Sequence, residues 1–248
     1  MKADFKKLNK TITCYNHLDD EDPKLVECLH NLRIAARKLI VVMNPEDFIG
    51  LNLKKLIQAS NKIRDLDVFI TEILPQFPKK WHSEFKDLLR VLNNRRVEMN
   101  HDFKITLTEE WLSDLNDEKI LLSGEHETSQ SQLKRQQMDL KEIEKRLKKA
   151  LKEVKSIDIE DKHLHKIRLV SKRLRYQLMR FYPQETKLIK TTKLLQAKLG
   201  DFHDIYQAIK LLKQNESLLT PKTFKHCNTF LNDKKAQILV ELRKELRH

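Results

Sequence analysis

His30-x-x-Arg33-x-x-x-Arg37-Lys38-Leu39 returns further along the chain as His165-x-x-Arg168-x-x-x-Lys172-Arg173-Leu174. On an α-helix, residues i, i+3 and i+7 lie on one face, so each copy points a histidine and two cations the same way. Fixed cations packed this closely suit an anion, and two copies suit a long one. At about 100° per residue with His30 at zero, Arg33 falls near about −60° and Arg37 near about −20°. Leu29, Leu32, Ala36 and Met43 gather between about −100° and −160°. The basic face therefore borders the apolar face. Cations at such a border line a groove beside a core, partly desolvated, where charge-assisted hydrogen bonds strengthen. The second copy behaves alike and adds Arg175 and Tyr176. A solvated, salt-bridged surface is the plainer reading of one stripe. Repetition, and the scarcity of acidic residues four positions from these cations, argue against it.

Other residues that could do chemistry carry less. A histidine among cations has its charged form disfavoured, yet it can still donate one N–H to a phosphate oxygen. His163 and His165 lie about 200° apart on a helix and cannot hold one metal ion between them. A zinc set of His30, His165, His226 and Cys227 lacks recognisable ligand spacing, and no metal or cofactor is expected. Asp67 and Asp204 sit in helical, partly apolar segments, so a structural role is expected: capping a backbone end or orienting a stripe arginine. Arg90, Arg95 and Arg96 could extend the basic surface. Lys145, Arg146, Lys148, Lys149, Lys152 and Lys155 have glutamates nearby and read as a solvated face. With three glycines in the chain there is no phosphate-cradling loop and no dinucleotide fingerprint. Glu142-Ile-Glu144-Lys-Arg146 has the alternating glutamates of tunnel-type triphosphatases. Those need a strand to aim both carboxylates inward, and this segment is helical.

Helices must position all of these groups. Charged residues make up 34% of the 248-residue chain, hydrophobic residues 40%, and prolines number six; that is the profile of a helix-rich protein with a substantial core. The net charge of +13 points to a polyanionic partner. Leu25, Leu29, Leu32, Ala36, Leu39 and Met43 step by three or four; Leu53, Leu56, Ile63, Leu66 and Ile70 do much the same, and Leu133, Leu140, Ile143, Leu147, Leu151 and Val154 give another stripe. No segment alternates like a strand. Asp22-Pro23, Asn44-Pro45 and Thr220-Pro221 read as N-caps followed by proline in the first turn. Helices are expected near 2–17, 23–43, 46–73, 78–104, 108–121, 128–155, 160–181, 184–213 and 221–247. The polar stretch 122–131 reads as a linker between a first half, 1–121, and a second, 132–248. Each half then has the inventory of a four-helix bundle. Three cysteines without metal spacing, a charged start and no apolar run near the roughly 20 residues of a membrane span fit a soluble, reducing, cytoplasmic setting.

The repeat extends past the stripe. Leu56-Ile-Gln-Ala59 matches Leu194-Leu-Gln-Ala197, and Asp67-Val68 matches Asp204-Ile205 one residue out of phase. Matched blocks in the same order argue for internal duplication.

Together these blocks resemble the CHAD family, the conserved histidine α-helical domain. The resemblance rests on His30-Asn-Leu-Arg-Ile-Ala-Ala-Arg-Lys-Leu39, His165-Lys-Ile-Arg-Leu-Val-Ser-Lys-Arg-Leu-Arg-Tyr176, Ile63-Arg-Asp-Leu-Asp-Val68 and Leu195-Gln-Ala-Lys-Leu-Gly-Asp-Phe-His-Asp204. It implies an all-α fold of two four-helix bundles related by pseudo-twofold duplication around a basic central cleft. It further implies non-catalytic binding of inorganic polyphosphate, including at polyphosphate granules. By motif match, His30, Arg33, Arg37, Lys38, His165, Arg168, Lys172, Arg173 and Arg175 would line that cleft, with Arg64, Arg95 and Arg96 as further basic positions. Lys38 and Lys172 stand where the family more often has arginine, and Ile40 replaces a frequent arginine. Lysine lacks the bidentate fork, so the first-half site is expected to be the weaker. Two other readings stand beside this one: a helical nucleic-acid-binding module, which 6% aromatic residues would supply poorly with stacking platforms, and an accessory subunit of a polyphosphate-metabolising enzyme. A phosphate-handling enzyme would need carboxylates placed for metal ions.

Overall fold

The structure is a computed structural model that describes residues 2–41, 43, 48–107, 137–156 and 159–246. Every regular element among the described residues is helical. The linker at 122–131, the short helix expected at 108–121 and the Asn44-Pro45 cap lie outside the described residues. Among the described residues no helix is long and apolar enough to cross a membrane.

The chain forms two compact units. The first comprises residues 1–70 and 89–136, the second 71–88 and 137–248. Residues 71–88 pack with the later helices.

In the first unit, α1 (Lys2–His17) packs against α2 (Lys24–Ile40), and α2 against α3 (Phe48–Ala59) and α4 (Asn61–Val68). The apolar stripe of α2 goes inward as its spacing requires: Leu25, Leu29, Leu32, Ala36, Leu39 and Met43 are all buried with Phe5, Leu8, Ile12 and Leu53. Asp22 accepts the Lys24 N–H at 2.8 Å, holding the start of α2 as an N-terminal carboxylate should. Helix α5 (Lys86–Ile105) closes this unit. Tyr15 donates to Asn100 Oδ1 at 2.8 Å, Asn100 donates to the Asp20 carbonyl at 3.0 Å, and Lys104 pairs with Asp20 at 2.7 Å.

The third expected helix, 46–73, is not continuous. It breaks at Ser60 between α3 and α4, and beyond α4 the chain winds as a π-helical turn, Phe69–Ile73. Short 3₁₀ turns follow at Leu74–Gln76 and Lys79–Phe85, around the Pro75 and Pro78 that mark the turn in the sequence.

The second unit contains α6 (Leu140–Val154), α7 (Asp161–Phe181), α8 (Thr186–Gln214) and α9 (Pro221–Glu245). Consecutive helices pack on one another along the series. Ile143, Leu147, Val154, Leu164, Ile167, Leu174, Leu178, Leu195, Leu199, Phe202 and Leu242 form its core. Asp139 caps α6 by accepting from Lys141 N–H at 2.7 Å. Thr220 caps α9 by accepting from Thr223 N–H at 3.2 Å, with Pro221 in the first turn, as the Thr-Pro pair predicts. Arg243 donates to the carbonyls of Val154 and Ser156 at 3.2 and 2.7 Å, satisfying the C-terminal end of α6. Lys198 of α8 pairs with Glu241 and Glu245 of α9, each at 3.0 Å. The segment 71–88 docks on α9 through its aromatics: Phe77 meets Phe230 at 5.1 Å between centroids, and Trp81 stacks on His226 at 5.6 Å. Glu84 accepts from the hydroxyls of Thr220 and Thr223.

Candidate functional site

The two stripes occupy α2 and α7, and their environments differ. On α2, His30 and Lys38 are exposed and Arg37 is half-buried. Arg33, the residue nearest the apolar arc on the helical wheel, is only 6% exposed. Its guanidinium donates to the Ile57 carbonyl at 2.8 Å, to Asn61 Oδ1 at 2.8 Å and to the Ser60 hydroxyl. These three acceptors surround the break between α3 and α4. A helix end leaves carbonyls without intrahelical partners, and Arg33 supplies donors there. Ser60 is fully buried, and its hydroxyl donates back to Leu56 O at 2.9 Å. Arg33 therefore serves the joint between two helices, a use the stripe motif alone did not reveal.

Arg96 is likewise drawn inward. Its Nε donates to Asp67 Oδ1 at 2.6 Å, with side-chain exposures of 11% and 1%. Asp67 thus orients an arginine that lies outside the two stripes. Arg64 and Arg95 are half-buried in the same unit, and Asp204 is half-buried on α8.

On α7, His165, Arg168, Lys172 and Arg175 are all half-buried, and Arg173 is exposed. None stands in a break, because α8 beside them runs unbroken for 29 residues. Arg175 donates to Gln196 Oε1 at 3.2 Å, which joins the stripe to the Gln-Ala block of α8. His165 meets His203 of α8, with Nδ1 to Nδ1 3.3 Å apart and ring centroids 4.8 Å apart. Burial first, then the charges of Arg168, His165 and Lys172, push the His203 imidazole down to about 3. Burial and Arg168 lower His165 as well. Both rings are accordingly neutral at physiological pH.

Gln207 Nε2 lies 3.5 Å from His203 Nε2. One N–H lies between the two Nδ1 atoms, since two neutral rings in contact there need one donor and one acceptor. His163 turns to a separate partner, Glu153, at 3.3 Å, as its place on the helix requires.

The histidine pair opens into a cavity of about 330 Å³ whose wall includes Asp161, Lys162, Phe202, Tyr206 and Gln207. Lys235 of α9 pairs with the lining Asp161 at 2.8 Å and lies 5.5 Å from the Phe202 ring centroid. His203 and Lys235 were not singled out as site residues from sequence. The signal for His203 lay in its position, one residue before Asp204 in the last matched block; nothing in the sequence ties Lys235 to the stripe.

The remaining charged and metal-suited residues have other neighbours. Arg146 bonds Glu142 at 2.6 Å on one helix face, and Lys149 lies 3.8 Å from Glu153, so this run is partly salt-bridged as its glutamates suggest. His226 stacks on Trp81, and Cys227 is buried. The described residues contain no group of three or more His, Cys, Asp or Glu suited to a metal ion.

A family model described as the CHAD domain matches residues 48–213, which run from α3 to the end of α8. The crystal structure of the CHAD domain from the plant Ricinus communis is similar, with a TM-score of 0.67 at 17% identity. The alignment covers 98% of this chain and 88% of that one. No curated protein matches in sequence.

Proposed function

The chain belongs to the CHAD domain family, and from that premise we propose that it binds inorganic polyphosphate through its basic stripes, with α7 contributing most. The observation that carries this reading is the neutral His165–His203 pair set beside Arg168 and Lys172. It combines fixed positive charge with an imidazole N–H donor, the requirements of a phosphate chain. Arg168, Lys172, Arg173 and Arg175 take phosphate oxygens, each charge-assisted hydrogen bond contributing about 1.5–3 kcal/mol before ordering costs. On α2, His30, Arg37 and Lys38 offer a weaker set, because Arg33 already serves the helix joint. The two units are read as copies of one four-helix bundle. Binding is non-catalytic, and a cytoplasmic site of action at polyphosphate granules fits the reading.

Titration with polyphosphates of graded length at two salt concentrations tests it. Affinity falls with salt through counterion release, as for other linear polyanions. Replacing Arg168 and Arg173 together with alanine weakens binding by about 10–100-fold, with helix content by circular dichroism unchanged. Undiminished binding in that double variant would remove α7 from the site. In competition, polyphosphate displaces RNA at a far lower phosphate concentration than the reverse; the opposite ranking favours a nucleic-acid module.

A further inference from the structure

Cys14 and Cys28 lie outside the proposed anion site, and their Sγ atoms are 2.8 Å apart across the α1–α2 packing. Two non-bonded sulfurs at ordinary contact stand farther apart than this, and a disulfide needs only a slightly closer approach. Both thiols are free, with Cys14 exposed and Cys28 partly so, whereas Cys227 is buried. The rest of each helix is already fixed. Phe5, Leu8 and Ile12 of α1 and Leu25, Leu29 and Leu32 of α2 lie in one core, so the pair is held together by packing that does not depend on sulfur.

We propose that Cys14 and Cys28 form an oxidant-driven, reversible disulfide that staples α1 to α2. The oxidant is a peroxide. Cys14, the more exposed sulfur, attacks as thiolate. The peroxide O–O bond breaks, leaving Cys14 as a sulfenic acid and releasing one water once protonated. Cys28 then attacks the Cys14 sulfur. The S–O bond breaks, the S–S bond forms and a second water leaves. Two thiols lose one electron each, and one peroxide is reduced by two. Burial first, then Cys14 and the carboxylates of Glu27 and Asp22, push the Cys28 thiol up to about 12. Burial and these neighbours favour the Cys28 thiol form near neutrality, and because the thiolate is the nucleophile, the closing step is faster as pH rises. In a reducing compartment the pair stays open until oxidant appears.

The test treats the purified protein with hydrogen peroxide and maps it by non-reducing peptide mass spectrometry. The expected product is a peptide pair joined through Cys14 and Cys28, lighter by two hydrogens, reversed by dithiothreitol and absent from Cys14→Ser and Cys28→Ser. It forms faster in the native protein than in denaturant, and it raises Tm by on the order of 5–10 °C for a loop of this length. Over-oxidation of Cys14 without the joined peptides, chain-to-chain disulfides instead, or equal rates with and without denaturant would overturn the proposal.

Discussion

Arg33 and Arg168 hold the same place in their stripes, and they differ because of the helix that each one faces. The stretch from Leu56 to Asp67 is one residue longer than that from Leu194 to Asp204. An extra residue turns everything downstream by about 100°. In the first unit the chain breaks at Ser60 within that stretch, and Arg33 fills the break with donors to Ile57, Ser60 and Asn61. In the second unit α8 runs through without a break, and the stripe is left beside a histidine pair. Arg33 thus serves a helix joint, whereas Arg168 stands beside a cavity-lining imidazole.

Removing the committed arginine gives the largest effect. Arg33→Ala should lower the free energy of unfolding by about 2–4 kcal/mol, since a buried hydroxyl and a carbonyl lose their charged donor. Arg168→Ala, at a half-buried site, should cost less than Arg33→Ala while weakening anion binding. Urea titration of both variants checks the pair, and equal losses would erase the contrast. Asp67→Asn comes next. It keeps an acceptor for Arg96 but loses the charge, for an expected cost of about 1–2 kcal/mol by the same measurement.

The smallest effect is confined to the second unit and depends on pH. In the unfolded chain His203 titrates near 6.5, whereas in the fold it is held down to about 3. Above pH 6.5 the ring is neutral in both states and costs nothing. As pH falls through that window, the unfolded chain takes up a proton that the folded chain refuses, so stability is lost. The slope is at most about 1.4 kcal/mol per pH unit. Screening at a partly open site reduces the whole loss between pH 6.5 and 4 to on the order of 1 kcal/mol. His203→Gln should flatten the decline in Tm over that range. Leu66 precedes Asp67 where His203 precedes Asp204, so the first unit has no ring at that place to respond. An anion bound at α7 reverses the preference by favouring the charged rings, and polyphosphate affinity measured at pH 5.5 should exceed that at pH 7.5.

The sequence carried much of this, unevenly. The α2 stripe from Leu25 to Met43 is buried at every position that its period selects, because a helix packed on one side leaves no other solution. The wheel also put Arg33 nearest the core and set His163 and His165 on different faces. The break at Ser60 was hidden, since Leu56 and Ile63 stand two turns apart and an apolar stripe with that gap reads through a kink. Its one trace was the out-of-phase Asp block. His203 escaped notice because its partner lies on another helix, and the orientation of two rings depends on Gln207 and on packing that no local pattern encodes. Pro75 and Pro78 interrupt the helical pattern, but nothing local ties Phe77 and Trp81 to α9.

That last placement bears on the order in which the protein is made. Residues 71–88 emerge from the ribosome before any of α6 to α9 exists. Phe77 and Trp81 then wait for Phe230 and His226, roughly 150 residues later, a delay on the order of ten seconds at ordinary elongation rates. Through that interval the nascent chain carries an aromatic strip with no docking face. Synthesis that stops before α9 leaves that strip bare, a place where a chaperone can hold the unfinished chain.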